Sequence, residues 1–212
     1  SVFAIVGGVG AAWFFFGGGN TTITTVVTVS SLTRTDTQVP IALGTSAREL
    51  LQNLHDSTTS AGVTQLYPTV VNQETNTVEP ASASRILEVL APQAPGNFQR
   101  AISAIQFGRI AGEPFIVLQV QSFDTALSGM IGWEGNMSAD LEPFMGELVT
   151  TSFDPDARTT DQIRNAFFTD AIIQNKDTRL LRDQFAEDAL LYSFVDRNTI
   201  VIVPDRTVFE AL

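Results

Sequence analysis

The chain has 212 residues, and its 23 acidic residues against 12 basic ones give a formal net charge of −11 at pH 7. This charge repels phosphate backbones, and no basic stripe with interleaved aromatic residues is present, so the composition argues against nucleic-acid binding. The sequence contains no cysteine, which excludes disulfides, thiolate metal sites and cysteine nucleophiles.

The first 19 residues, SVFAIVGGVGAAWFFFGGG, carry no charge. A helix from Val2 to Gly19 would rise about 27 Å, just short of the roughly 30 Å of a bilayer hydrocarbon core. The pattern therefore predicts a transmembrane helix over residues 1–19. Within it, Gly7 with Ala11 and Gly8 with Ala12 have the small-xxx-small spacing of helix–helix contacts. A filament core, a fusion peptide and ordinary interior burial remain alternatives for this segment.

A dinucleotide-binding loop is a further alternative for residues 1–19, which we call the head, because Gly8 and Gly10 follow an apolar run. Trp13, however, occupies the third glycine place, where a small residue must let helix pack on strand. The next acidic residue is Asp36, and Phe and Gly follow Trp13 instead of an amphipathic helix. These departures argue against a nucleotide site.

Residues 20–45 are rich in threonine and valine and predict a stalk or an edge strand. No basic residue precedes Arg34, so the flank after the head lacks the positive charge of a cytoplasmic side. We therefore expect a cell-membrane location with the C-terminal domain outside the cytoplasm.

Residues 46–212 alternate between helical and strand patterns, which predicts one globular domain. Ser46 and Glu49 form a capping box that begins a helix with Leu50, Leu51 and Leu54 on its buried face. The elements expected next are a strand at Gly62–Val71 confined by Pro68 to an edge or bulge, a polar loop over 72–80, short helices at Ser84–Leu90 and Phe98–Ile102, and a hairpin of Ala104–Ile110 with Pro114–Val120.

A long helix capped by Asp124 follows, with a predicted apolar stripe of Leu127, Met130, Met137, Leu141 and Phe144. Four β-rich runs come next (DAIIQN, TRLLRD, ALLYSFV and TIVIVP), with turns expected at Lys176-Asp177 and Asp196–Asn198 and a closing helical turn at Thr207–Leu212. This mixture predicts an α+β domain, with a mainly antiparallel sheet and helices on one face.

Three stretches, SFDTALSGMIGWEGNMSADLEPF, FFTDAIIQNKDTRLLRD and LLYSFVDRNTIVIV, resemble a group of uncharacterised single-pass membrane proteins of uncultured small-genome bacteria. The resemblance runs from about Ser46 to the end and is densest after Pro114. It implies one extracytoplasmic α+β domain after a membrane span, and it transfers no catalytic residue. It also implies a cytoplasmic segment ahead of the span, which this sequence does not contain.

Several polar residues have ordinary interpretations. The single histidine, His55, is predicted to be a helix residue, because no G-x-S-x-G elbow accompanies it and zinc needs several ligands. Asp154, Asp156 and Asp161 suggest a calcium loop, but Arg158 and Thr159 stand where an EF-hand has an oxygen ligand and glycine. The acids Asp183, Glu187 and Asp188 are expected to form a solvated hairpin connection.

Glu134 is the acidic residue with the clearest candidate role, because it falls within the apolar stripe of the long helix, beside Trp133. A partly buried carboxylate must find an arginine or backbone donor, or take up a proton. It is therefore either a structural ion pair or a group that grips a ligand or transfers protons next to Trp133. No second acid at a fixed spacing identifies a glycosidase pair.

Three functions are compatible with this sequence. The first is a membrane-anchored structural or protein-interaction module, with the lipid bilayer and a protein partner or second copy as its contacts. The second is a subunit of a filament or cell-envelope assembly with the head packed in its core. The third is an envelope hydrolase that uses Glu134. The sequence predicts no catalytic constellation, cofactor or metal site.

Overall fold

A computed structural model describes residues 31–57, 62–145, 167–183 and 186–212. Its centre is a mixed sheet with the strand order β1-β2-β4-β5-β9-β8-β7-β6, in which β3 also pairs with β2. The strands are β1 Thr37–Ala42, β2 Val63–Asn72, β3 Thr77–Pro80, β4 Ile102–Ile110, β5 Glu113–Val120, β6 Thr169–Ile173, β7 Lys176–Arg182, β8 Asp188–Phe194 and β9 Thr199–Val203. The helices are α1 Ala47–His55, α2 Ala83–Leu90, α3 Gly96–Ala101, α4 Phe123–Met145 and α5 Arg206–Ala211.

The α+β class and the mainly antiparallel sheet are confirmed. All strand pairs are antiparallel except β1 with β2, which run parallel with α1 between them. The sheet thus includes residues 37–42, which lie inside the range 20–45 that the sequence predicts as a stalk or edge strand. The predicted transmembrane helix over 1–19 lies outside the described residues.

Both faces of the sheet carry apolar layers, so the prediction of helices on one face holds for α1 to α4 only. These four helices pack on one face, in a core that includes Leu66, Phe107 and Ile202. The short helix α5 covers the other face, where Val208 and Phe209 join Phe115, Val117 and Leu191. We call these surfaces the four-helix face and the α5 face.

Local signals explain where the helices begin. The Ser46 side chain accepts a hydrogen bond from the Glu49 N–H, and Ser82 and Asp205 cap α2 and α5 in the same way. The prediction of Asp124 as the cap of α4 is wrong by two residues, because Ser122 Oγ accepts from the Thr125 N–H at 3.4 Å. Asp124 instead lies in the first turn, where an acid is favourable to the helix dipole.

The strand β2 corrects two predictions. It is an interior strand, although Pro68 predicts an edge or bulge; its partner changes from β4, at Val63–Leu66, to β3, at Thr69–Asn72. Pro68 lies at this change of partner, and its carbonyl accepts from the Ala81 N–H. The predicted polar loop over 72–80 contains the short strand β3.

The four C-terminal strands form the antiparallel meander β6-β7-β8-β9, in agreement with the four β-rich runs. The turn predicted at Lys176-Asp177 is wrong by two residues and is made by Gln174 and Asn175, whose φ angles are 50° and 59°. Two consecutive positive φ values are those of a type I′ hairpin turn, which matches the twist of the flanking strands.

The apolar stripe of α4 is shifted relative to the prediction. Leu127 is exposed, and Ala126, Gly129 and Trp133 are buried together with the other predicted residues, Met130, Met137, Leu141 and Phe144. At Gly129 the helix approaches α3 so closely that an added Cβ would overlap Phe98.

We predict opposite effects for two glycine substitutions in α4. Gly129→Ala should lower the free energy of unfolding by about 1–3 kcal/mol, because the overlap with Phe98 exceeds the gain in helix propensity. Gly135→Ala should raise it by up to about 1 kcal/mol, because nothing lies within 4 Å of its added Cβ. Denaturant unfolding of both variants measures the difference, and equal effects would contradict the close α3–α4 contact.

Candidate functional site

The candidate site is a polar cluster between α4 and the C-terminal meander. In α4, Glu134 lies next to the buried stripe of Met130, Trp133 and Met137 and turns toward the four-helix face of β7 and β8. Only 14% of its side chain is exposed. A carboxylate with so little access to water needs donors from the protein.

Arg179 of β7 supplies two of those donors. Its Nε donates to Glu134 Oε1 at 2.8 Å and its Nη2 to Oε2 at 2.9 Å, which makes the pair bidentate. The Tyr192 hydroxyl of β8 donates to the same Oε1 at 2.8 Å. The third guanidinium nitrogen, Nη1, donates to Asp170 of β6 at 2.8 Å, and Nη2 also donates to the Phe168 carbonyl at 3.1 Å. We call Glu134, Arg179, Tyr192 and Asp170 the Glu134 cluster.

Contacts within the cluster stabilise the charged form of Arg179 and the neutral form of Tyr192. The hydrogen bond to Glu134 raises the pKa of Arg179 above its ordinary value, so this guanidinium stays charged. Burial, followed by the bond to Glu134, raises the pKa of the Tyr192 phenol. Tyr192 therefore remains a neutral donor. The arrangement is chemically a closed ion pair, with both carboxylate oxygens accepting from internal donors.

Trp133 and Glu134 do not act on one spot, although the sequence places them side by side. The Trp133 ring lies 6.3 Å from that of Phe98 on α3, and its Nε1 donates to Asp140 at 2.7 Å. Asp140 also accepts from the Gln93 N–H at 2.7 Å, which ties α4 to the segment between α2 and α3. Successive helix residues point about 100° apart, so Trp133 faces α3 while Glu134 faces the sheet.

His55 contacts Arg109 through its backbone carbonyl. It ends α1, and its carbonyl accepts from Arg109 Nη2 at 2.9 Å. The Arg109 guanidinium also stacks over the Phe144 ring at 5.7 Å, and burial lowers its pKa. Within the described part of the chain, Arg109 Nε and the hydroxyl of its cross-strand neighbour Thr64 are buried without a protein partner. The hydrogen bond from Arg109 to the His55 carbonyl anchors the C-terminal end of α1, where a positive charge is favourable to the helix dipole.

The expected solvated connection of Asp183, Glu187 and Asp188 needs correction at its last member. Only 13% of the Asp188 side chain is exposed, and it accepts from Arg206 Nε at 2.6 Å. Arg206 is the first residue of α5, so this pair holds α5 against the start of β8. Asp183 Oδ1 accepts from the Glu187 N–H within the connection.

An apolar cavity of about 20 Å³ lies between α2, α3, α4 and the sheet, with Leu87, Phe98 and Trp133 in its lining. Its volume suits little more than one water molecule.

In the described ranges no three His, Asp or Glu side chains come close enough together to hold a metal ion. No helix there is long and apolar enough to cross a bilayer.

Several candidate residues lie outside the described residues. These are the predicted helix–helix contacts Gly7, Gly8, Ala11 and Ala12, and the acids Asp154, Asp156 and Asp161.

Comparison of the chain with models of protein families, with curated proteins and with solved structures gives no match.

Glu134 is predictable from the sequence as a candidate residue, whereas its partners Arg179 and Tyr192 are not among the predicted residues. A signal was present in the period of the strands. Arg179 is two residues before the buried Leu181, and Tyr192 is two residues after the buried Leu190, so all four point to the same face. A lone arginine at an inward position of a β-rich run predicts a carboxylate opposite it.

Loss of the Glu134 charge should destabilise the domain. Glu134→Gln is expected to lower the free energy of unfolding by about 2–3 kcal/mol, since it leaves a largely buried Arg179 guanidinium, 28% exposed, without its bidentate partner. Glu88→Gln is the matched control, because its pair with Arg85 on α2 is exposed and should change stability by less than about 0.5 kcal/mol. Denaturant unfolding measures both; equal losses would contradict a structural role of the cluster.

The Tyr192 phenol should make stability depend on alkaline pH. Its pKa is raised in the folded chain above the ordinary value of 10.0, so its contribution is complete below pH 10 and declines as the pH rises further. The unfolded state then binds fewer protons than the folded state, and this group lowers the unfolding free energy by at most about 1.4 kcal/mol per pH unit.

Tyr192→Phe should reduce that slope above pH 10. Tyr67, the other tyrosine, has a pKa that burial also raises and should keep a residual slope. Unfolding curves at several pH values, with phenolate absorbance as a second signal, test the effect. Identical slopes in parent and variant would show that Tyr192 titrates as an exposed phenol.

Proposed function

We propose that this chain is a membrane-anchored structural or protein-interaction module whose α+β domain works outside the cytoplasm. The observation that carries the proposal is the closed form of the Glu134 cluster. Both oxygens of Glu134 accept from Arg179 or Tyr192, an arrangement that favours holding α4 on the sheet over acid–base chemistry, which needs a carboxylate directed at a substrate.

The membrane part of the proposal is supported by the sequence. Residues 1–19 carry no charge, and the first basic residue after them is Arg34. An uncharged segment of this length suits a bilayer core, and a flank without basic residues suits the extracytoplasmic side.

The hydrolase hypothesis has weaker support. Asp170 reaches the same guanidinium as Glu134, so a second acid is near. Arg179 lies between the two carboxylates and donates to both, whereas a glycosidase pair needs sugar or water in that space. The filament hypothesis has no contact of the described residues in its favour, and membrane partitioning separates it from a lipid anchor.

Membrane partitioning of the full chain tests the proposed function. We expect retention in membranes after carbonate extraction, and cleavage of the domain by protease added to sealed cells. A variant lacking residues 1–19 is the matched control and should appear in the soluble fraction with an unchanged unfolding curve.

Two results would contradict this proposal. A full chain that is soluble as a monomer would mean that the head is buried in its own domain. Ordered sedimenting oligomers without lipid would favour the filament subunit instead.

A further inference from the structure

The strand β6 ends the sheet, and within the described residues its outer side has no neighbouring strand. Because Gln174 and Asn175 form a two-residue turn, Ile173 and Lys176 are the hydrogen-bonded pair beside it. The alternation of an antiparallel ladder then directs the N–H and C=O groups of Asp170 and Ile172 away from β7. These four backbone groups can accept an added strand.

The opposite edge of the sheet is less suited to strand addition. There β1 contains Pro40, which has no N–H to donate. Proline is one of the residues by which proteins protect an edge strand from pairing. The sheet therefore offers β6 as its better acceptor.

Apolar side chains accompany the β6 edge. Ile172 is 75% exposed and Phe167, just before the strand, is 70% exposed. On α4, Leu127 and Ile131 are also exposed. Large apolar residues clustered on a surface mark interaction sites more often than single ones do.

The contacts of α4 place Leu127 and Ile131 on the side toward β6. They share a helical stripe with Phe123 and Glu134, at spacings of three or four residues. At one end Phe123 packs on Phe194 of β8, with ring centroids 5.0 Å apart, and at the other Glu134 binds Arg179 of β7. Ile172 lies on the same face of the sheet, since it is two residues from Asp170.

Acidic groups border this apolar surface. Asp170 is 91% exposed although it binds Arg179, and Asp177 is exposed directly opposite Ile172 in the ladder. The chain as a whole has a formal charge of −11. Arginine and lysine suit such a surface, because their aliphatic stems cover apolar groups while their cationic ends reach carboxylates.

We propose that the β6 edge binds an extended basic segment of a partner protein, which adds a strand to the sheet. On the four-helix face its arginine or lysine stems lie over Ile172 and their charges reach Asp170 and Asp177. This inference rests on the proposed function as an interaction module and names the surface and the chemical class of its partner. A second copy is a poorer occupant, because two chains of charge −11 repel each other.

A designed peptide serves as the probe. It has ten residues in which arginine alternates with valine, so that one face of the extended strand is cationic. The control peptide replaces each arginine with glutamate. Binding to the full chain in non-ionic detergent micelles is measured by fluorescence anisotropy, and hydrogen exchange of residues 167–175 locates the contact. We expect the arginine peptide to bind and to slow exchange in β6, and the glutamate peptide not to bind.

Variants then separate strand addition from general charge attraction. Ile172→Pro removes an outward N–H without changing the net charge and should weaken binding about tenfold or more. Ile172→Val keeps the N–H and should bind like the parent. Asp177→Lys should also weaken binding, and it provides the test if Ile172→Pro lowers the unfolding temperature.

Three results would overturn the inference. They are no binding of the arginine peptide by the parent, binding by Ile172→Pro and by Asp177→Lys as tight as binding by the parent, or a peptide-independent dimer that Ile172→Pro abolishes. The last would identify a second copy as the occupant. None of these measurements depends on membrane retention, so a failure here is distinguishable from a failure of the proposed membrane anchor.

Discussion

The bidentate ion pair between Glu134 and Arg179 determines how the helical layer is oriented on the sheet. Apolar packing is non-directional, and the buried stripe of α4 alone would tolerate rotations of the helix that keep Met130 and Met137 inside. Two parallel N–H···O bonds from a planar guanidinium allow much less rotation. Because α1 and α3 pack against α4, the orientation of α4 also constrains the other helices of that layer.

The same constraint joins the two halves of the chain. Glu134 belongs to the helical half, and Arg179 and Tyr192 belong to the C-terminal meander. Breaking the pair would strand a charge that has little access to water, so the two halves stabilise each other through it. On the opposite face, the pair between Asp188 and Arg206 holds α5 in a similar way, at a more exposed site.

Because both faces of the sheet are buried, some of its elements can be predicted from the sequence and others cannot. In β8 and β9 the residues Ala189–Ser193 and Ile200–Val203 are all buried, and such continuous buried runs, which apart from Ser193 are largely apolar, are typical of a strand covered on both sides. The four C-terminal strands, the β4–β5 hairpin and most helices follow from pattern and caps. That α5 would cover the second face does not follow, because a six-residue helix gives little periodicity.

The remaining differences arise where long-range pairing decides a local feature. The sequence around Pro68 argues for an edge, and only the change of partner between β4 and β3 makes an interior proline acceptable. The turn at Gln174-Asn175 lacks the glycine that usually indicates a type I′ turn. For the site, the period of α4 predicts a carboxylate that needs a donor, whereas the identity of Arg179 depends on how β7 is aligned below it.

Arg179 connects the cluster to the sheet edge, because it binds Glu134 and Asp170 through different nitrogens. Glu134 uses Nε and Nη2, while Asp170 at the edge uses Nη1. A cation that competes for Asp170 therefore leaves the bidentate pair with Glu134 intact, and α4 keeps its position. The surface formed by β6 and the exposed side of α4 is thus held rigid from within, and a rigid surface loses less conformational entropy when it binds. The cluster that gives the fold its orientation would in this way also preorganise the proposed strand acceptor.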